Sequence, residues 1–410
     1  MKAVLLAIFA LTYAGISARR VRLLPIGRPA MAMVGASAMV LAGAFAGPIG
    51  LGADEALRAV EPHTIAMLFG MMLISSGLDE AGFFAWLTDR VARVVRTPAA
   101  LLWAVTIASG LLSAVLVNDA VCLLATPVVL ASARRQRVSV RPFVFALCMG
   151  ANAGSALTLS GNPQNMLVAR LSGLAYRAYL ARAALPSLAA LVVTAALVHL
   201  MHRRELATVV DHAHDDDSRR EITGPQRALL AVSLAALAGV VVANLAGASI
   251  AWSALVGASV VIVAARLRAE ALLQKVEWSV LLFFAGLFVV VAGLRKTGLP
   301  AQWLAPLATM AAGGSGTALL VAVLMVGSQI VSNVPLILLL EPWIRGFGDS
   351  STAWTITAIV STIAGNFTLL GSVANVIVIE QSKESIGFWD YLKIGVPVTI
   401  ASTAAAMALL

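Results

Sequence analysis

The stretch LTLSGNPQNMLVA (residues 157–169) decides the fold, because it sets Ser160, Gly161, Asn162, Pro163, Gln164 and Asn165 in a row inside a long apolar run. Sixty per cent of the 410 residues are hydrophobic and twelve per cent charged, so the chain is too apolar for a soluble globular protein and reads as polytopic in a membrane. In hydrocarbon every backbone N–H and C=O needs an internal partner, and the runs show none of the alternation of a barrel strand. The expected fold class is therefore all-α. An unbroken membrane helix has no use for six consecutive small, polar or proline residues, so the run over 142–172 is expected to be a broken helix. Its first part, 142–160, ends before Ser160. Asn162 caps a new half-helix, and Pro163 suits its first turn.

Runs of spanning length lie near 3–17, 30–51, 62–79, 142–172, 178–201, 228–244, 248–265, 277–294, 353–380 and 391–410, about ten transmembrane helices in all. Residues 3–17 end in GISA as a secretory signal does. The basic cluster Arg19, Arg20, Arg22 and Arg28 follows that run instead of preceding it, so a retained first helix with its N-terminus outside is the reading adopted. Most of the 29 Lys and Arg residues fall in short clusters between the runs, as orientation signals do. The net charge of +9 thus implies a membrane surface and no nucleic acid. Cys122 and Cys148 lie in apolar stretches; no disulfide framework follows, and a thiol ligating a soft substrate is the alternative to small core residues.

The two halves repeat. VEPHTIAMLFG from Val60 aligns with VEWSVLLFFAG from Val276, VLVNDAVCLLATPV from Val115 with QIVSNVPLILLLEPW from Gln329, and SALTLSGNPQNMLV from Ser155 with GNFTLLGSVANVIV from Gly365. Asn118 pairs with Asn333, Gly161 with Gly371 and Asn165 with Asn375. The stretch 316–342 is too short for two crossings, and its partner 98–133 has basic clusters on both flanks. Both are expected to be re-entrant hairpins. Five crossings per half then make the repeats inverted: 1–203 (hairpin 98–133, broken helix 142–172), a cytoplasmic linker 204–227, and 228–410 (hairpin 316–342, broken helix 353–380). Both termini are placed outside. His212, His214 and Asp215 to Asp217 in the linker read as solvated chain, with metal binding as the alternative and no metal site adopted.

Inverted repeats with broken helices are the plan of secondary transporters, in which N–H ends favour anions and carbonyl ends favour cations near the midplane. Gly371 permits the second break and Ser372 is its expected cap. Asp119 is the one acid placed well inside the membrane, and a carboxylate there is costly unless paired or protonated, which makes it the expected proton carrier. Its repeat counterpart is Val334. Asn152, Ser155, Thr158, Ser332, Thr362, Asn366 and Thr368 face the site or serve as polar glue between helices. No nucleophile-and-base arrangement and no GxxxxGK[ST] loop occurs, so an enzyme is not expected and energy comes from a gradient or from a separate ATPase subunit. No cofactor is expected beyond coupling H+ or Na+, and a homodimer is compatible with the reading.

The motifs VLVNDAVCLLATPVV (115–129), SGNPQN (160–165), IVSNVPLILLL (330–340) and GNFTLLGSVANVIV (365–378), in that order over nearly the whole chain, resemble the ion transporter superfamily, in the branch of arsenite permeases, sodium–proton antiporters and divalent-anion symporters. The resemblance implies an elevator-like or rocking carrier of the bacterial inner membrane. Its substrate or ion would be held by the hairpin tips, Asn118 with Asp119 and Ser332 with Asn333, and by the unwound loops Ser160, Gly161, Asn162, Asn165 and Gly371, Ser372, Asn375. NDA followed by TP, and the GSVAN loop, look similar to the arsenite-permease and small-anion members. Proton-coupled efflux of arsenite or a related small inorganic oxyanion is the expected function, with a sodium–proton antiporter or a carboxylate symporter as alternatives.

Overall fold

A computed structural model of the chain describes residues 1–17, 27–208, 224–310 and 316–410. Arg19, Arg20 and Arg22, and the linker residues His212, His214 and Asp215 to Asp217, lie outside the described residues. Twenty α-helices and no strands are found among the described residues, and they fall into two sets of ten in the same order. The first set is α1 (Lys2–Ser17), α2 (Arg28–Ala44), α3 (Ala53–Ala59), α4 (Pro62–Glu80), α5 (Phe83–Val94), α6 (Pro98–Val115), α7 (Asn118–Arg135), α8 (Arg141–Ser155), α9 (Pro163–Ser172) and α10 (Tyr176–Leu206). The second is α11 (Gly224–Leu245), α12 (Ile250–Ala265), α13 (Ala269–Gln274), α14 (Trp278–Lys296), α15 (Leu299–Met310), α16 (Gly316–Val331), α17 (Asn333–Arg345), α18 (Ser350–Ala364), α19 (Val373–Ser382) and α20 (Phe388–Met407).

Local chemistry starts these helices where the sequence places prolines and short polar side chains. Pro62 sits in the first turn of α4, whose cap Glu61 accepts the Thr64 N–H at 2.6 Å; Pro98 does the same in α6, with Thr97 accepting from the Ala100 N–H at 3.2 Å. Asp349 caps α18 by accepting the Thr352 N–H at 3.0 Å, and that N–H, with the Thr352 hydroxyl, holds its carboxyl below the usual range. Four helices are long and apolar enough to cross a membrane as they stand, α6, α10, α11 and α14, and α4 is so with the segment before it; α1, α2, α12, α16 and α19 are shorter apolar helices. The short helices α3, α5, α13 and α15 stand where the sequence reading assigned no element.

The two halves exchange partners. From the first half, α4 packs on α12 of the second; from the second half, α14 packs on α2 of the first. Both contacts use the same device. A Cβ on Gly70 would lie 2.7 Å from the Ala254 carbonyl carbon, and one on Gly286 would lie 2.8 Å from that of Ala32, so only glycine lets the backbones approach this closely. With α1 and α11 these helices form one group. A second group gathers α6 to α10 and α16 to α20: α6 packs on α8, α16 on α18, and the long α10 on α20. Asn118 N–H donates to the Gly161 carbonyl at 3.0 Å, which sets the link between α6 and α7 at the level of the gap between α8 and α9.

Candidate functional site

Helix α8 stops at Ser155, five residues before the expected end, and α9 begins at Pro163; α18 stops at Ala364 and α19 begins at Val373. Each break would strand buried carbonyls. Asn165 resolves the first, donating through Nδ2 to the carbonyls of Ser155 (3.3 Å) and Thr158 (3.0 Å). Asn375 resolves the second in the same way, donating to Gly365 (2.7 Å) and Thr368 (3.2 Å), each atom 210 positions on from its counterpart. The symmetry extends across the halves. Asn165 Oδ1 accepts from Thr362 Oγ1 at 3.1 Å and Asn375 Oδ1 from Asn152 Nδ2 at 2.9 Å, and 152 and 362 are again 210 apart.

Asn162 caps α9 as expected, accepting the Asn165 N–H at 2.8 Å, and donates to Ser155 Oγ (2.9 Å) and Thr362 Oγ1 (3.0 Å). Ser372 holds the equivalent N-cap position in α19 but makes no side-chain cap bond. Its hydroxyl donates instead to Asn152 Oδ1 at 3.0 Å, because that acceptor reaches it from the other half. Gly161 and Gly371 earn their places by close approach: both have ordinary backbone angles, but a Cβ on Gly161 would collide with the Ser155 carbonyl and lie 2.8 Å from that of Ser113. At Gly371 it would lie 2.8 Å from Gln329 Oε1.

The hub is Asn152, which the sequence reading left among the polar-glue positions. Its Nδ2 donates to Asn366 Oδ1 and Asn375 Oδ1, both at 2.9 Å, while its Oδ1 accepts from Asn118 Nδ2 (3.1 Å) and Ser372 Oγ (3.0 Å). Both donors and both acceptor positions of one amide are thus used, by residues of both halves. Gln329 on α16 was also missed. It donates to the Ala364 carbonyl at the end of α18 (2.9 Å) and accepts from Thr368 (2.8 Å), tying the second hairpin to the second break. A glutamine in the last turn of an apolar helix one turn before the Ser332 tip was the available signal.

The structure therefore joins Asn118, Gly161, Asn162, Asn165, Ser372 and Asn375 in one buried network, and Ser160 abuts it through Thr158 while bonding Tyr176 at 2.9 Å. Ser332 and Asn333 are not bonded into it, although α17 packs against α9 and α18. Ser332 is held at φ +65°, a region that strains any side chain carrying a Cβ. Two repeat-equivalent pairs of buried oxygens lack partners among the described residues: Ser113 and Ser328 Oγ, and Asn118 and Asn333 Oδ1. The helices α7, α9 and α19 begin at or beside network residues, so three positive helix ends meet there.

Asp119 is buried beside the network, with the Ala374 N–H of α19 facing its carboxylate. It lines a cavity of about 230 Å³ that also reaches Ser75, Ser76, Asp79, Lys275 and Glu277. Lys275, the one basic residue lining that cavity among the described residues, donates to Asp79 (2.7 Å) and Glu80 (2.9 Å). Desolvation pulls the Lys275 ammonium down, but these hydrogen bonds outweigh it and hold it above its ordinary value, so it stays charged at neutral pH. Cys122 and Cys148 are buried and free, one helical turn beyond Asp119 and before Asn152 respectively.

Comparison with known proteins places the chain among membrane transporters. The family model described as "Citrate transporter" matches residues 5–364. A silicon efflux transporter of Oryza sativa subsp. japonica is 29% identical over 457 residues, covering 94% of this chain and 93% of that protein. The arsenical pump membrane protein of Escherichia coli K12 is 28% identical over 373 residues, covering 85% and 86%. Among solved structures, the YdaH transporter of Alcanivorax borkumensis, described as having an unusual topology, aligns with a TM-score of 0.58 at 14% identity, covering 100% of this chain and 95% of that one. That likeness is one of fold.

Proposed function

The chain belongs to the CitMHS citrate-transporter family of membrane carriers, and from that premise we propose that it exports a small inorganic oxyacid, arsenite foremost, in exchange for protons. The observation that carries the reading is the chemistry of the central network. Its groups are amides, hydroxyls and backbone carbonyls, with one carboxylate alongside and no basic side chain. A citrate-like polyanion needs cationic partners to replace its hydration. An uncharged trihydroxy acid such as arsenous acid needs instead a set of donors and acceptors of the same neutral kind, which such a network offers. The names of the silicon efflux and arsenical pump relatives are in keeping with this.

Asp119 is the proton carrier of the scheme. A buried carboxylate on the wall of a cavity binds a proton when substrate leaves and releases it when the cavity opens to the less acidic side. The two halves act as oppositely oriented copies in the inner membrane, with both termini outside and the hairpin tips re-entrant. Helices α6 to α10 and α16 to α20 move as a unit against α1 to α4 and α11 to α14. Sodium coupling is the second reading, favoured by the unpartnered Oδ1 atoms of Asn118 and Asn333, which are hard oxygen donors at equivalent tips. The test is transport in proteoliposomes of the purified chain. Arsenite accumulation driven by an imposed pH gradient in sodium-free buffer, undiminished by excess citrate, is expected; flux that follows a sodium gradient alone, or citrate uptake without arsenite uptake, overturns the proton-coupled oxyacid reading.

A further inference from the structure

We infer that the chain carries a second binding site, an oxyanion pocket at the opposite end of α4 from the Asp119 cavity, which takes a phosphate-type group. The pocket measures about 270 Å³ and lies where the start of α4 meets the α9–α10 connection and the α11–α12 connection. At 1.5 Å per residue, His63 on its wall and Ser76 on the wall of the Asp119 cavity are roughly 20 Å apart along α4. The two cavities are of opposite character. Among the described residues three acids line the first, Asp79, Asp119 and Glu277, whereas the second is lined by Arg170, His63, Thr64 and Asn244 and by no acid.

Two of those side chains are buried to 1% exposure and carry unpartnered atoms. One end of the Asn244 amide accepts from Ser253 Oγ at 2.6 Å, but among the described residues neither Nδ2 nor Thr64 Oγ1 has a partner. A buried donor left without a partner costs stability, and a ligand oxygen in the pocket would supply the missing acceptor. Two helix starts add further donors. The 16-residue α12 begins at Ile250 after Ser249, and the 31-residue α10 at Tyr176 after Ala175; neither has a side-chain cap, and all four residues line the pocket. Uncapped first-turn N–H groups and positive helix ends favour an anion. Glu61 offsets part of this: its carboxylate caps the Thr64 N–H, bonds His63 at 3.1 Å and pairs with Arg170 at 3.9 Å, while the Arg170 side chain stays 62% exposed and free to turn to an anion.

The occupant is either a free phosphate-type anion or the phosphate of a lipid headgroup, since Arg170 and His63 reach the surface. Binding there bridges α9–α10 to α4, α11 and α12, so in a carrier of the kind proposed above it would hold the two helix groups together; that consequence rests on the transport reading, the binding does not.

The experiment measures binding on the full chain without any gradient. In maltoside micelles free of phospholipid, orthophosphate titrated against chloride at matched ionic strength is expected to raise the thermal unfolding midpoint saturably and to bind one per chain by dialysis with labelled phosphate. Arg170→Gln, an exposed change, and Asn244→Leu are each expected to weaken that binding at least tenfold, while Asp119→Asn leaves it intact. In phosphatidylglycerol nanodiscs without added phosphate, the same stabilisation with the same sensitivity to Arg170→Gln assigns the site to a headgroup. The inference is overturned if neither probe binds in a way that Arg170→Gln weakens, or if phosphate binding disappears in Asp119→Asn, which would place the anion in the central site.

Discussion

Replacing Asn152 by leucine removes four hydrogen bonds at once while keeping the side chain's approximate size. Asn118 Nδ2 and Ser372 Oγ lose their acceptor, and Asn366 and Asn375 Oδ1 lose their donor, all in surroundings from which Asn152 itself is 2% exposed. At about 0.5–1.5 kcal/mol net per bond, four bonds give about 2–6 kcal/mol, the upper part of the range applying if the orphaned groups find no water. Of the lost partners, Asn375 lies on α19, Ser372 at its N-cap and Asn366 in the break before it, so the second break should loosen with the first, and Asn375→Leu in the Asn152→Leu background should cost less than it does alone. The assay is reversible unfolding in mixed micelles, scored by tryptophan fluorescence and combined as a double-mutant cycle, with proteoliposome flux run in parallel. A loss below about 1 kcal/mol in Asn152→Leu, or strict additivity with Asn375→Leu, would refute the claim that one amide holds the two breaks together.

Asp119→Asn is expected to leave the unfolding midpoint unchanged or slightly raised, because a buried charge is replaced by a neutral isostere, while pH-driven arsenite accumulation in proteoliposomes disappears. Gly161→Ala should destabilise more than Gly371→Ala in thermal melts, by about 1–3 kcal/mol, since the first Cβ meets two backbone carbonyls and the nearest atom to the second is the movable end of Gln329. Ser332→Gly releases the strained tip and should raise stability by about 1 kcal/mol; an unchanged or lowered midpoint in the same micelle assay would show that the tip is not strained. Because the Thr352 N–H depresses the Asp349 carboxyl, the cap on α18 holds above the ordinary carboxylate range and is lost as pH falls through the lowered folded value. The protection factor of the Thr352 amide, corrected for intrinsic exchange, should fall on that acid limb in the parent and not in Asp349→Asn.

Much of the site was legible residue by residue. Asn162 before Pro163 announced a cap and a helix start, and both are found there. Asn165 and Asn375 stood out because a repeat set them in register, and they turn out to perform the same task at both breaks. Asn152 was not legible as the hub because its repeat counterpart is Thr362, so the alignment offered no matched pair. A single asparagine in an apolar helix serves equally well as glue between any two helices. Ser372 was expected to bond its own helix and bonds Asn152 instead, since cap propensity is local and the competing acceptor comes from a distant segment.

The amino-acid sequence by itself determined that the chain is helical and membrane-bound, that it is built twice over, and where each copy must break. Those properties follow from hydropathy, run length and the obligation of every backbone group to find a partner. Only the tertiary structure decided which helices face one another. In hydrocarbon a helix apolar on all sides carries no stripe marking its inner face, so the exchange of α2 onto α14 and of α4 onto α12 rests on the close fit of Gly286 with Ala32 and of Gly70 with Ala254. That packing also sets Asp119 beside a cavity lined by a lysine and two more acids drawn from both halves, a juxtaposition of residues more than 150 positions apart that no local pattern encodes.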